Sequence, residues 1–396
     1  MVETMIDVLK KMDKPLFFAV ILLCVIGLIM VFSASNISSV LQYSVTSYYF
    51  FKKQLMVMVG SFLVGLIVIN IPTSKYHYLK FPMVIGIIGL LIGLYVKATF
   101  TNGARSWYNF GLFSLQPSEF AKTVVVIVMA SFFGKHLDCE RRYFFLSPII
   151  VCAAIALLIL FQPDLGTAII ISLTVFAMFL VVPFNKADKD VRICRIVGSI
   201  FVGAVLLLFI FGGEMLSKSE LVNKILTPEQ TSRLVYRAPC TRPNDKTGYQ
   251  VCNGMIAINN GGLFGVGLGK STQKYLYLPE AHTDFIFPII VEELGSIAGA
   301  GIILLYAFIL FRCLKIAKGA RDLTGSLIAY GTFLVILLHL IVNFGGILAL
   351  MPLTGVPVPL LSYGGSVTLN TLIMIFLTLR VSYEGNKARE KKRKSK

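Results

Sequence analysis

Long apolar runs separated by short polar connections recur along the whole of this chain. They fall at residues 15–33, 54–71, 81–98, 117–134, 146–161, 164–183, 196–213, 284–309, 326–350 and 366–381. A helix needs about 20 apolar residues to cross about 30 Å of hydrocarbon, and inside lipid only a helix or a closed barrel satisfies its own backbone. The pattern therefore predicts an all-α integral membrane protein of about ten transmembrane helices, built as one polytopic domain over residues 1–396. Composition agrees. The chain is 56% hydrophobic and 14% charged, whereas soluble domains carry about 25% charged residues. Lys10, Lys11 and Lys14 precede the first run as in a signal peptide, but no small-residue cleavage site follows, so that run is read as a retained span.

Basic residues in the short connections orient the bundle. With the N-terminus inside, Lys186, Lys189, Arg192 and Arg195, then Arg312, Lys315, Lys318 and Arg321, and the basic tail at 382–396 all fall on the cytoplasmic side. Few basic residues remain in the short outer loops, chiefly Lys52, Lys53, Lys97 and Arg105. Both termini are expected in the cytoplasm. The net charge of +17 is accounted for by topology and anionic lipid, and no nucleic-acid partner is implied.

One connection breaks the short-loop pattern. Residues 214–283, between spans 7 and 8, form a long extracytoplasmic loop with the glycine-rich string NNGGLFGVGLG. Loops longer than about 15 residues are usually functional or disordered, and the apolar and aromatic content here favours partial order. Of seven cysteines only Cys240 and Cys252 fall outside. An oxidising compartment would permit a disulfide between them, and two free thiols in a loop is the alternative.

Charged groups in spans are expensive and mark internal sites or pathways. Here they gather at the outer ends of the even-numbered spans. Span 4 opens QPSEFAK, with Glu119 and Lys122 three residues apart on one face, as an ion pair that either fixes packing or meets ligand. Span 6 opens QPDLGTA, where Asp164 serves as helix cap, as ligand contact, or both. Span 8 follows PEAHTDFIFPIIVEELG, with Glu280, His282 and Asp284 at its mouth and Glu292 and Glu293 deeper, as a buried network or a proton path. His282 reads first as a loop residue. Asp284, flanked by Phe285 and Phe287 where the long loop re-enters the bilayer, is the residue whose basicity desolvation would raise. Span 10 follows PLTGVPVPLLSYGGS, whose Pro and Gly suit irregular backbone. Helix N-termini directed outward, with Lys52, Lys53, Arg105 and Lys122, would suit an anion such as a pyrophosphate.

These strings, with NGARSWYNFGLFSLQPSEFAK and GMIAINNGGLFGVGLGKSTQKYLYLPEAHTDFIF, resemble the SEDS family of shape, elongation, division and sporulation proteins. The resemblance covers nearly the whole chain and is nearer the FtsW branch than the RodA branch, with SpoVE also similar. It implies a peptidoglycan glycosyltransferase that polymerises lipid II on the outer face of the bacterial cytoplasmic membrane, at the division septum. It also implies a class B penicillin-binding protein transpeptidase and other division proteins as partners, and the nascent glycan strand as second substrate. The acidic residue of the family's H-T-D-F motif falls on Asp284, which takes the catalytic role. Arg105, Trp107, Glu119, Lys122, Asp164, His282 and Ser362 are the expected substrate-binding positions. Two departures are visible: Val367 stands where the family commonly has a second Ser after SYGGS, and the insert from Cys240 to Cys252 looks particular to this chain.

The α-linked donor and β-1,4-linked product of such a reaction call for inversion, hence a base rather than an enzyme nucleophile. Asp284 would take the proton of the acceptor 4-hydroxyl. Arg105, Lys122, helix N-termini or a divalent cation, Mg or Mn, would compensate the leaving pyrophosphate; no metal-ligand spacing is evident. Two rival readings share the architecture. A lipid II flippase or transporter would place its acids near the midplane, with Glu292 and Glu293 as best support. A non-catalytic division scaffold would use the long loop and the tail for docking.

Overall fold

The computed structural model describes residues 2–97, 106–111, 114–136, 144–184, 189–220 and 228–395. An amphipathic helix α1 (Val2–Lys11) leads into α2 (Lys14–Leu41), whose start is capped by Asp13 accepting from Leu16 N at 2.9 Å. Then come α3 (Tyr49–Val68), α4 (Tyr76–Lys97), a two-stranded hairpin of β1 (Tyr108–Asn109) and β2 (Ser114–Leu115), α5 (Pro117–His136), α6 (Leu146–Leu160), α7 (Leu165–Val181) and α8 (Lys189–Phe211). The long connection carries α9 (Gly213–Ser217), α10 (Pro228–Leu234) and α11 (Lys246–Gly261). The chain closes with α12 (Ile286–Lys318), α13 (Leu323–Ile347) and α14 (Gly365–Lys394).

Among the described residues eight helices are long and apolar enough to cross a membrane: α2 to α5, α8 and α12 to α14. The fifth and sixth predicted spans are the shorter apolar helices α6 and α7. At 1.5 Å per residue α6 spans only about 22 Å, so composition overstated what it can cross alone. The buried centre is made by α5, α13 and α14, each at least two-thirds buried, whereas α8 shows no buried residue in its most apolar stretch. Small residues permit the closest helix approaches. A Cβ on Gly331 of α13 would lie 2.4 Å from Val126 of α5, and one on Gly65 of α3 would lie 2.2 Å from the Phe376 ring of α14.

Three boundaries differ from the pattern-based expectation. Span 8 begins at Ile286 rather than 284, is broken at Gly295 (φ 87°), and continues to Lys318. The tail from 382 is a continuation of α14, held by Tyr383 donating to Asp7 at 2.8 Å and Lys11 donating to Glu390 at 2.7 Å. The 214–283 segment is built around α11, the longest of its described helices, with a disulfide joining Cys240 and Cys252 at its N-terminal end.

The glycine-rich string explains the break in α12. Val266 N donates to Glu292 O and Gly267 N to Glu293 O, each at 2.9 Å, while Ser296 N reaches Gly262 O at 2.9 Å. A Cβ on Gly265 (φ 78°) would lie 2.2 Å from Glu293 O, so only glycine lets these backbones meet. The carboxylates on either side of the contact clasp the same loop. Glu292 accepts from Thr272 N at 3.2 Å, Thr272 Oγ1 at 2.8 Å and Gln273 N at 3.3 Å. Glu293 pairs with Lys274 Nζ at 2.8 Å and accepts from Ser33 Oγ at 2.6 Å, all three side chains buried. These acids form a buried network that folds the loop back onto the start of α12, and thereby sets where Asp284 sits.

Candidate active site

The starts of α5, α7, α12 and α14 converge around a cavity of about 710 Å³. Gln116 and Glu119, Asp164 and Leu165, Asp284, and Gly365 and Val367 stand on its wall, with Trp107 from β1's approach, Lys53 and Gln54 from α3, and the irregular 352–357 strand. Helix starts present free N–H groups and the positive dipole end, so the wall is preset for anionic ligand groups.

Asp284 lies in the turn before α12, 7% exposed, with Thr283 Oγ1 donating to its Oδ1 at 3.1 Å. Its backbone carbonyl accepts from Asn343 Nδ2 at 2.8 Å, and that nitrogen also donates to Val356 O at 2.7 Å. Burial pushes the Asp284 carboxyl up to about 7; the Glu280 carboxylate adds to the rise and the Arg233 guanidinium opposes it. Gly355 (φ 70°) lies between the two charged groups: a Cβ there would be 3.2 Å from Arg233 Nη1 and 3.8 Å from Asp284 Oδ2. Arg233 is held over the 352–357 strand by its own carbonyl, which accepts from Leu353 N at 3.2 Å.

Asp164 is both helix cap and cavity wall. Its Oδ1 accepts from Thr167 N at 3.1 Å, while Oδ2 accepts from Ser118 Oγ at 2.8 Å and Gln116 Nε2 at 3.0 Å. Ser106 Oγ donates to Gln162 O at 3.2 Å, which ties the Trp107 segment to the start of α7.

Glu119 is 3% exposed, lines the cavity and takes Lys122 Nζ on Oε1 at 2.7 Å; its Oε2 is buried with no hydrogen-bond partner among the described residues. Lys122 stands behind Glu119 rather than on the wall, and its Nζ also meets His339 Nε2 at 2.8 Å. A buried pair of this kind is worth little as stabilisation but breaks badly when one member is lost.

Like Lys122, two more predicted positions lie off the wall. His282 packs its ring among Tyr43, Phe50 and Tyr363, burial pushes its imidazole down, and its carbonyl accepts from Tyr363 N at 2.9 Å. Ser362 closes its own turn, its Oγ accepting from Val358 N at 3.0 Å. Both shape the backbone beside the cavity without lining it. Arg105 lies outside the described residues. Val367, where the resemblance led us to expect a hydroxyl, puts an apolar side chain on the wall.

The cavity holds Glu280, noted in the sequence at the mouth of span 8, and also residues that pattern reading passed over: Arg233 on α10, Lys246 and Gln250 on α11, and Thr283 beside Asp284. Among the described residues no group of three His, Cys, Asp or Glu side chains is placed to hold a metal ion.

Fold and cavity together define a multi-pass helical membrane protein with a polar, cation-fringed chamber where four helices begin. The family model for cell cycle proteins that unites FtsW, RodA and SpoVE matches residues 14–387. This chain belongs to that family, the SEDS proteins. It is 34% identical over 394 residues to the probable peptidoglycan glycosyltransferase FtsW of Bacillus subtilis (strain 168), covering 96% of this chain and 94% of that one. It is 36% identical over 380 residues to stage V sporulation protein E of the same organism, covering 94% and 98%. Its fold matches that of Thermus thermophilus rod shape determining protein RodA with a TM-score of 0.66 at 23% identity, over 94% and 96% of the two chains. A chain in a solved peptidoglycan synthase complex matches with a TM-score of 0.71 at 23% identity, over 94% and 98%.

Proposed function

We propose that this chain polymerises lipid II into β-1,4-linked glycan at the outer face of the cytoplasmic membrane, with Asp284 as general base. The observation that carries the reading is the placement of Asp284: a desolvated carboxylate on the wall of the chamber, at the base strength that neutral-pH proton transfer requires. The family's relatives named as glycosyltransferases supply the activity class.

Chemistry runs in one displacement. Asp284 takes the proton from the acceptor 4-hydroxyl as that oxygen attacks C1 of the donor sugar on the face opposite its pyrophosphate. The C1–O bond to phosphate breaks, and undecaprenyl pyrophosphate leaves with the bonding pair. Negative charge grows on the pyrophosphate, and Arg233, Lys246, Lys53 and the starts of α5 and α7 are the chamber's means of compensating it. Glu119 adds a carboxylate to the chamber wall.

Basic residues at the end opposite the chamber support the outward orientation. The relative in a peptidoglycan synthase complex supports a penicillin-binding transpeptidase partner, and the FtsW relatives support work at the septum. Transport is disfavoured by one observation: Glu292 and Glu293, its best candidates, are occupied in holding the loop.

Strand synthesis from purified lipid II by wild type and Asp284→Asn, in matched amounts from membranes, tests the reading. Polymer from wild type and none from the variant supports it. Equal polymer removes Asp284 as base, lipid II movement without polymer points to a transporter, and neither activity to a scaffold.

A further inference from the structure

At the end of the bundle opposite the chamber lies a second cavity of about 490 Å³ that the reaction above does not use. Its walls come from the turn after α3, the α12 to α13 connection and the last part of α14. They include Thr73, Ser74, Arg321, Arg380, Lys387 and Lys391.

Its acids are already engaged. Glu384 takes Arg380 Nε at 2.8 Å and Thr73 N at 3.1 Å, and Asp322 caps α13 by accepting from Gly325 N at 2.8 Å. Arg380 also donates to Ile69 O at 3.2 Å. Lys387 is turned to the Tyr383 hydroxyl at 3.0 Å, a neutral partner. Arg321 and Lys391 have neither an ion pair nor a hydrogen bond through their side chains among the described residues, and neither has the Ser74 hydroxyl. The result is a concave site with three cations lacking a carboxylate, a hydroxyl donor beside them, and a volume suited to one headgroup.

We propose that this cavity binds a phosphate group, and that its source is the headgroup of an anionic glycerophospholipid in the leaflet at the basic end of the bundle. A soluble phosphate shares the recognition chemistry. Position favours lipid: the site sits at the basic end of the bundle, beside the ends of helices long and apolar enough to cross a membrane. A bound headgroup would offset the mutual repulsion of Arg321, on the α12 to α13 connection, and Lys387 and Lys391 on α14.

Native mass spectrometry of the full chain, released from liposomes of phosphatidylcholine and phosphatidylglycerol, tests this. Wild type is compared with Arg321→Gln/Lys391→Gln and with Lys392→Gln/Lys394→Gln, which removes equal charge from the same helix outside the cavity. Retained phosphatidylglycerol should fall roughly tenfold in the cavity variant and stay near wild type in the control. Equal loss in both, or loss in neither, overturns a lipid site. In a second arm inorganic phosphate is titrated against thermal unfolding in neutral detergent. A stabilisation that the cavity variant lacks, with lipid retention unchanged, keeps the site and moves the ligand to soluble phosphate; no stabilisation together with unchanged lipid retention ends the proposal. Lys391→Glu, at an exposed position, repeats the comparison should the double variant fold poorly.

Discussion

Asn343 Nδ2 binds the backbone carbonyl of Asp284 at 2.8 Å and that of Val356 at 2.7 Å, so one side-chain amide joins the re-entry turn to the 352–357 strand. Both carbonyls are buried with their residues, and the amide's two N–H groups suit two acceptors. Asn343→Leu keeps the volume and leaves both acceptors without that donor, at about 1–3 kcal/mol each. Asn343→Asp sets a third acceptor against them. Turnover should fall about 10²-fold in either variant, because a displaced base loses in-line geometry, while the protein still inserts in membranes. Initial polymerisation rates with matched protein amounts check this; a wild-type rate in both variants would mean Asn343 does not position Asp284.

The pH profile follows from the same burial. As the proposed general base Asp284 must be ionised, and its carboxyl is pushed up to about 7. Polymerisation should therefore rise with pH through about 7 and fall roughly tenfold for each unit below it. Stability runs the other way. With the folded value raised above the ordinary 3.8, the folded state binds the extra proton between 3.8 and about 7, so stability is lost as pH rises across that window. Asp284→Asn lacks this loss and should melt above wild type at about pH 8, with the gap narrowing below about pH 7 and closing toward about pH 4. Rate and melting profiles in one detergent measure both, and a melting gap independent of pH would contradict the burial argument.

Much of this was legible in the sequence for a physical reason. Lipid penalises charge, so Glu119, Asp164 and Asp284 near the ends of apolar runs had to be doing something, and the structure gathers them in one chamber. The same reasoning passed over Arg233 and Lys246, because a cation in a polar loop carries no such penalty and looks like ordinary solvated surface. Asn343 and His339 were detectable: each is a polar side chain inside the apolar run 326–350. His282 and Ser362 share motifs with chamber residues, yet their side chains turn away, since a turn has no period from which direction can be read. Whether α12 runs straight was also beyond the hydropathy pattern, because the break at Gly295 depends on partners 26 to 34 residues earlier in the chain.

The Cys240–Cys252 disulfide closes a short loop at the start of α11, the helix that brings Lys246 and Gln250 to the chamber. A loop of this size stabilises by about 3 kcal/mol. Cys240→Ser/Cys252→Ser should leave α12 to α14 intact but loosen α11. The measurement is limited proteolysis in detergent: the variant should be nicked within 228–261 at protease levels that leave wild type whole. Reductant should reproduce the effect in wild type and add nothing in the variant. Equal resistance of the two proteins would show that the loop's other contacts suffice.

Lys122 is the member whose loss should be worst. Its Nζ stands between Glu119 Oε1 at 2.7 Å and His339 Nε2 at 2.8 Å, with every side chain buried. Lys122→Met strands the Glu119 carboxylate beside a second oxygen that already has no partner, at about 3–5 kcal/mol. Glu119→Gln/Lys122→Met removes both charges and should recover most of the lost stability, because the burial penalty for an unpaired ion is gone. Activity should stay low, since the double variant removes a carboxylate from the chamber wall. Melting temperature and polymerisation rate on the single and double variants separate a packing role from a ligand role. Recovery of both would assign the pair to packing, whereas recovery of stability alone assigns Glu119 to the substrate.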